Sequence, residues 1–435
     1  MRNELAVTAM PACLTYMTPA RGGWSVVRRA LLLPESYLFF IGMPACMRHI
    51  ILSSIELGVE DRLSFIALND ANLATGAYES TVIEEISAAI PQLPVQAKVI
   101  RMFFTCMDDL LGTDHAAMID ALSDRFPDLI FAVSHMNPIR ADSPLPPPVA
   151  ILSDLFSLLR VPAARPLPDD SGTIRGRVNF IANNIAIPRE NLICRWLSAA
   201  GFTVQHISDF ETFEGFQSMA RAALNVVVQP LGIRAAEEMR SRLGIPFVYC
   251  PYSYLDAEIE ANFSAIAAAL KIDPPDFRPL RAEVEAEARR SAEALDGYSI
   301  VIDYAATYRP FSMALFLTGR GLPVRQVYAS EWLKTEDQSR ERLISANPGI
   351  EILDPSAPAR VKERKTVLNA VAVGFEAAYL TGAAHVVPYC ADEFGYGYDA
   401  MLQLLRDLRH AAEEAIDLER AVKESGYTPL PQSEW

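Results

Sequence analysis

Short apolar runs rich in β-branched and aromatic residues alternate with longer helical patterns from Tyr37 almost to the end of the chain. That alternation, with short Gly- or Pro-bearing connections, predicts parallel sheets covered by helices on both faces. The predicted strands are 37–42, 64–68, 99–106 and 130–134, then 178–182, 204–207, 225–228 and 247–250, then 299–303, 324–328, 350–353 and 385–387. Helical patterns lie between them, at 45–56, 79–89, 108–123, 189–200, 213–224 and 235–243. A chain of 435 residues exceeds one ordinary core. The strands fall into three groups of about four, each the size of a small Rossmann-like domain.

Two breaks separate the groups. The first is Pro-rich, at 144–148 and 164–176, and three consecutive prolines at 146–148 cannot continue a helix. The second is the charged helix at 281–295, which reads as a connector. The predicted domains are therefore 1–170, 171–297 and 298–435, the last ending in a helix and a polar tail at 423–435.

The charge of −15 argues against a nucleic-acid surface. No apolar run approaches the roughly 20 residues that span a bilayer, so no membrane is expected. The first residues lack a sustained apolar segment before a cleavage site, so a cytoplasmic protein is expected. Six cysteines are too few for a disulfide scaffold in a chain of this size.

Several nucleotide and catalytic motifs are missing. There is no G-x-x-x-x-G-K-[ST] loop, and the Gly395/Gly397 pair lacks the third glycine of a dinucleotide fingerprint. H-E-x-x-H, C-x-x-C and G-x-S-x-G are likewise absent. Such a chain points to chemistry carried by another cofactor, and the cysteines then become informative. Cys106 closes the strand VIRMFFTC, and Cys46 follows the strand YLFFIG. Both are expected where parallel sheets place ligands, and near helix amino termini that favour thiolates. Cys13 lies in an irregular segment just before Gly22-Gly23. Converging thiolates suit iron–sulfur ligation. The bland alternative stays open on these grounds, because a free cysteine is usually a small buried apolar residue.

The segment FFTCMDDLLGTDHAAMIDAL resembles the signature of nitrogenase component 1 subunits, through Cys106, Asp109, Leu110, Leu111, Gly112 and Asp114. IGMPACMRHI is similar to the family's Gly-x-x-Gly-Cys element through Gly42 and Cys46, departing from it at Ala45. Cys13 stands in the place of the family's first cysteine, in the same order and at similar spacing. The segments MRSRLGIPFVYCPYSYLDAEIEANFSAI and VGFEAAYLTGAAHVVPYC look like the family's second and third domains.

This resemblance implies that Cys13, Cys46 and Cys106 hold half of an iron–sulfur cluster shared with a homologous subunit. The cluster is expected to be of the [8Fe-7S] P-cluster type, or alternatively [4Fe-4S]. It also implies an α2β2-type complex, an ATP-dependent iron protein as electron donor and a small-molecule substrate. In that family one subunit carries the catalytic cofactor through a cysteine near a second-domain strand end and a third-domain histidine. Here Val228, Gln229 and Pro230 replace the cysteine, and His385 begins its strand rather than ending it. The chain thus resembles the partner of the cofactor-bearing subunit. The reductive C–S cleavage performed by methylthio-alkane reductases, here in the K-type subunit, is the specific expectation. A tetrapyrrole reductase subunit and a cofactor-assembly scaffold are the alternatives.

The remaining candidates carry less. Cys194 reads as a buried thiol, while Cys250 and Cys390 each end a strand. His49, His115 and His135 read as ordinary polar residues, and Asp108, Asp109 and Asp114 as acids stabilising a helix amino end.

Overall fold

The computed structural model describes residues 7–9, 29–57, 59–135, 145–160, 176–355, 367–389 and 395–417. Cys13, Cys390, the tail at 423–435 and the His49 side chain lie outside what is described. β1 (Val7–Ala9) pairs antiparallel with a short strand near residue 332. The other strands build three parallel sheets, as the sequence predicts.

The first sheet contains β2 (Ser36–Gly42), β3 (Leu63–Ala67), β4 (Val99–Phe104) and β5 (Ile130–His135), in the order β3-β2-β4-β5. The second contains β6 (Gly176–Ile181), β7 (Phe202–Gln205), β8 (Leu224–Val227) and β9 (Phe247–Tyr249), in the equivalent order β7-β6-β8-β9. In the third, β10 (Ser299–Asp303), β11 (Val324–Tyr328), β13 (Glu351–Leu353), β14 (Ala370–Val373) and β15 (His385–Val387) run in the order β13-β11-β10-β14-β15. The partner of β1 is β12 (Glu331–Leu333). β2 is buried along its whole length, which is why its sequence is a continuous apolar run rather than an alternation.

Three local expectations need correcting. β14 adds a fifth strand to the third sheet, unanticipated because Ala-Val-Ala-Val is all buried and lacks the period-two signal. The helix expected at 108–123 is two helices, Cys106–Leu111 and His115–Arg125, and Cys106 belongs to the first of them rather than to the strand. The break between them is Gly112, whose φ of 65° ends the first helix in a left-handed cap. The Pro-rich break at 146–148 opens a helix, Pro147–Ser157, with Pro147 at its first position. Proline is tolerated there because the first N–H of a helix has no partner in any case.

That helix joins the first sheet to the second. Leu152, Leu155 and Phe156 pack with Ala236 and Met239 of the helix Ile233–Leu243 in one buried cluster. Arg242 donates to the carbonyls of Leu159 and Phe156 at 2.8 and 3.0 Å, satisfying the helix's carboxyl end. A larger cluster runs from Val178 to Ala412 and merges the cores of the second and third sheets.

A buried ionic knot tightens the third sheet's flank. Arg309 donates to Glu336 at 2.5 Å and to Glu258 at 2.8 Å. Glu336, fully buried, also accepts from the backbone N–H groups of Phe311 and Ser312 at 2.9 and 2.8 Å. Burial alone would lower the Arg309 pKa, but Glu336 and Glu258 raise it, so the guanidinium stays charged. Truncating one member strands the other charge. Glu336→Ala is therefore expected to lose about 3–5 kcal/mol in equilibrium urea unfolding, and a loss near zero would show the knot to be dispensable.

Candidate metal centre

The first sheet's chain order sets the site. The chain leaves β2 toward β3 on one side, then returns to β4 on the other, so β2 and β4 flank a topological switch point. Ligands of open α/β sheets sit at the carboxyl ends of such strands. Ile41 pairs with Phe104 in register, so the two strands end side by side. Gly42 lies against Thr105: a Cβ at Gly42 would fall 2.4 Å from the Thr105 Cγ2. Glycine is required there by close approach.

Each strand end then enters a helix. Pro44 opens Pro44–Leu57, and Cys46 is its third residue. Cys106 is the first residue of Cys106–Leu111. Both thiols are partly buried and unpaired. Burial pushes the Cys46 thiol up in pKa, and the charge of Cys106 pushes it further. This overturns, for Cys46, the expectation of a thiolate favoured by its helix terminus. Without a metal, desolvation and like charge outweigh the helix field. The Thr105 hydroxyl, just before Cys106, is buried and has no hydrogen-bond partner among the described residues. Two soft donors, an orphaned hydroxyl and a backbone stripped of its Cβ fit a thiolate-held inorganic group.

The signature around Cys106 has a local explanation as well. The Gly112 N–H closes the first helix on the Asp108 carbonyl at 3.1 Å. The Asp114 side chain accepts from Ala117 N–H at 3.0 Å and caps the next helix, as the sequence predicts.

Asp108 does something else. Its Oδ2 lies 2.8 Å from His115 Nε2 and 2.9 Å from His135 Nε2, and Tyr78 donates to its Oδ1 at 3.3 Å. Burial would raise the Asp108 pKa, yet the bonds from the two imidazoles hold it well below the usual carboxylate range. The sequence reading missed this constellation. His135 reaches it only through the pairing of Phe104 with His135 across β4 and β5, which no local pattern records.

The other candidates separate from the site. Cys194 is buried, with its pKa pushed up to about 11 mainly by desolvation. Cys250 is fully buried, its thiol lies 3.5 Å from the Asn262 carbonyl, and desolvation pushes its pKa up to about 12. Gln229, just beyond β8, is buried with both amide atoms unpartnered among the described residues. His385 opens β15 and its Nδ1 lies 2.7 Å from the Ala411 carbonyl, away from the strand's carboxyl end.

The family profile described as nitrogenase component 1 type oxidoreductase matches residues 64–364, well over half of the chain. The chain belongs to that family. A solved structure titled "Nitrogenase Cp1 at pH 6.5" superposes with a TM-score of 0.66 at 15% identity, covering 98% of each chain. A second, "Nitrogenase Cp1 at pH 5", gives 0.60 at 13% identity, over 93% of this chain and 90% of that one. At such identities the likeness establishes the shared fold of three helix-flanked parallel sheets. Comparison with the curated proteins finds no match.

Two outcomes test the site's construction in this nitrogenase-like chain. Gly42→Ala must displace Thr105 and is expected to cost about 1–3 kcal/mol in chemical denaturation; an unchanged midpoint would remove the close-approach argument. Asp108 has a depressed native pKa, so its contribution is complete above the unfolded value of about 4 and fades as pH falls toward the native value. Asp108→Asn should therefore flatten the acid limb of the metal-free chain's stability–pH curve. Parallel acid limbs for the two proteins would contradict the assignment.

Proposed function

We propose that this chain is the electron-relaying subunit of a nitrogenase-like reductase, with Cys13, Cys46 and Cys106 supplying half of an iron–sulfur cluster at a subunit interface. The observation that carries the reading is the placement of Cys46 and Cys106 on the helices that follow the paired strands β2 and β4 at the switch point, near enough for the Cys106 charge to raise the Cys46 pKa. Family membership supports an oxidoreductase subunit that works with a homologous partner and a separate iron protein. A cluster of the [8Fe-7S] type, or a four-iron one, would supply one-electron carriage there.

The chain's own residues do the holding. Cys46 and Cys106 stand on the helices that follow the paired strands β2 and β4, and Gly42 lets the backbone come close to Thr105. Because burial favours the neutral Cys46 thiol, metal must displace its proton, and loading should release protons. The second-sheet position that would need a thiolate carries Val228, Gln229 and Pro230, which supports placing the catalytic metallocofactor in the partner subunit. The reaction we propose for the complex is reductive C–S cleavage of methyl thioethers, releasing methanethiol, on the strength of the sequence resemblance and the missing second-sheet cysteine.

The test is anaerobic co-purification with the homologous subunit. The complex should be brown and iron-rich, and Cys106→Ala should remove the interfacial cluster's share of the iron while leaving the fold intact by circular dichroism. A colourless, iron-free complex would sink the reading. Methanethiol release with the reduced iron protein separates a reductase from an assembly scaffold, which would carry iron without turnover.

A further inference from the structure

We propose that Asp108, His115 and His135 form a second metal site, taking one divalent first-row transition cation through two imidazoles and a carboxylate.

The three side chains arrive from three elements. Asp108 is the third residue of Cys106–Leu111, His115 the first of His115–Arg125, and His135 the last of β5. Their ligand atoms lie within 4.8 Å of one another, with both Nε2 atoms aimed at the same Asp108 oxygen. A tetrahedral ion bonded at 2.0–2.1 Å holds its ligands about 3.3 Å apart. The 2.8 and 2.9 Å carboxylate–imidazole separations need to open by about half an ångström. The widest separation in the group, at most 4.8 Å, has to close by about 1.5 Å, which the partly exposed imidazoles can supply by turning toward a shared ion.

Two further features favour an ion over a simple hydrogen-bonded cluster. Asp108 is 2% exposed, whereas His115 and His135 are 26% and 31% exposed, so the buried anion has an open side lined by imidazoles. A cation entering there keeps its remaining coordination positions for water or a small ligand. The rings are also fixed in advance. Phe104 packs against His115 at 5.0 Å and His135 at 6.2 Å, and the two imidazoles stand edge to face at 4.8 Å. Tyr78 then bonds the carboxylate's other oxygen, the kind of outer contact that orients metal ligands. Two neutral imidazoles and one carboxylate suit zinc, ferrous iron or cobalt better than calcium or magnesium.

The inference does not rest on the thiolate cluster, and its test removes the Cys46 and Cys106 thiols. The full chain carrying Cys46→Ser and Cys106→Ser is titrated anaerobically with Co²⁺. One tightly held cobalt is expected, with a ligand-field spectrum free of thiolate charge transfer. His115→Gln and His135→Gln should each abolish it, and Tyr78→Phe should weaken binding about tenfold. A doubly serine-substituted chain that retains no cobalt, or a His135→Gln variant that binds it unchanged, would overturn the site. If the histidine variants fail to fold, Tyr78→Phe decides, since it keeps all three ligands: unaltered cobalt affinity there rejects the site.

Discussion

The in-register ending of β2 and β4 is the constraint on which the rest of the site depends. With Ile41 opposite Phe104, the two strands deliver their following helices to the same edge of the sheet at the same height. A slip of one residue would turn every side chain of one strand to the opposite face. Cys46 and Cys106 would then no longer share a locus. Gly42 and Thr105 enforce this register from outside the ladder, because their contact leaves no room for another side chain. The Thr105 N–H donates to the Ile41 carbonyl at 3.3 Å and extends the pairing one residue past the strand.

The same architecture recurs with different chemistry at the other sheets. β6 and β8 flank the second sheet's switch point, and Gln229 occupies the edge beyond β8 with a buried, unpartnered amide. β10 and β14 flank the third, where Asp303 ends β10 and accepts the N–H groups of Ala306 and Ala377 at 2.8 and 2.9 Å. Only the first sheet offers cysteine thiols at its switch point among the described residues. Shared cores and the bridging helix Pro147–Ser157 tie that sheet to the rest, so the thiolate edge rests on a continuous apolar support.

Much of this was legible in the sequence, for identifiable reasons. Continuous apolar runs such as Tyr-Leu-Phe-Phe-Ile mark strands buried on both faces, and three groups of them gave the three sheets. Gly112 and Asp114 marked a local stop and start, although the helix was read straight through them. What stayed hidden was non-local. The prolines at 146–148 look like a break in isolation, but the packing of Leu152, Leu155 and Phe156 on a distant helix makes them a helix start. Asp108 was read as a helix-end acid because its two imidazole partners come from residues separated from it by a turn and by a neighbouring strand.

Cys106 and Asp108 show how one short helix can serve two kinds of ligand. Residues two apart on a helix do not face the same way. Cys106 lies within electrostatic reach of Cys46, while Asp108 bonds His115 and His135 beside β5. Soft thiolates and harder nitrogen and oxygen donors sort metals by type as much as by affinity. If both proposed sites are filled, opposite sides of one helical turn would keep the two donor sets apart. The left-handed Gly112 then matters beyond its own turn. By ending the helix after Leu111 it lets the chain reverse, and only that reversal returns His115 to the Asp108 carboxylate.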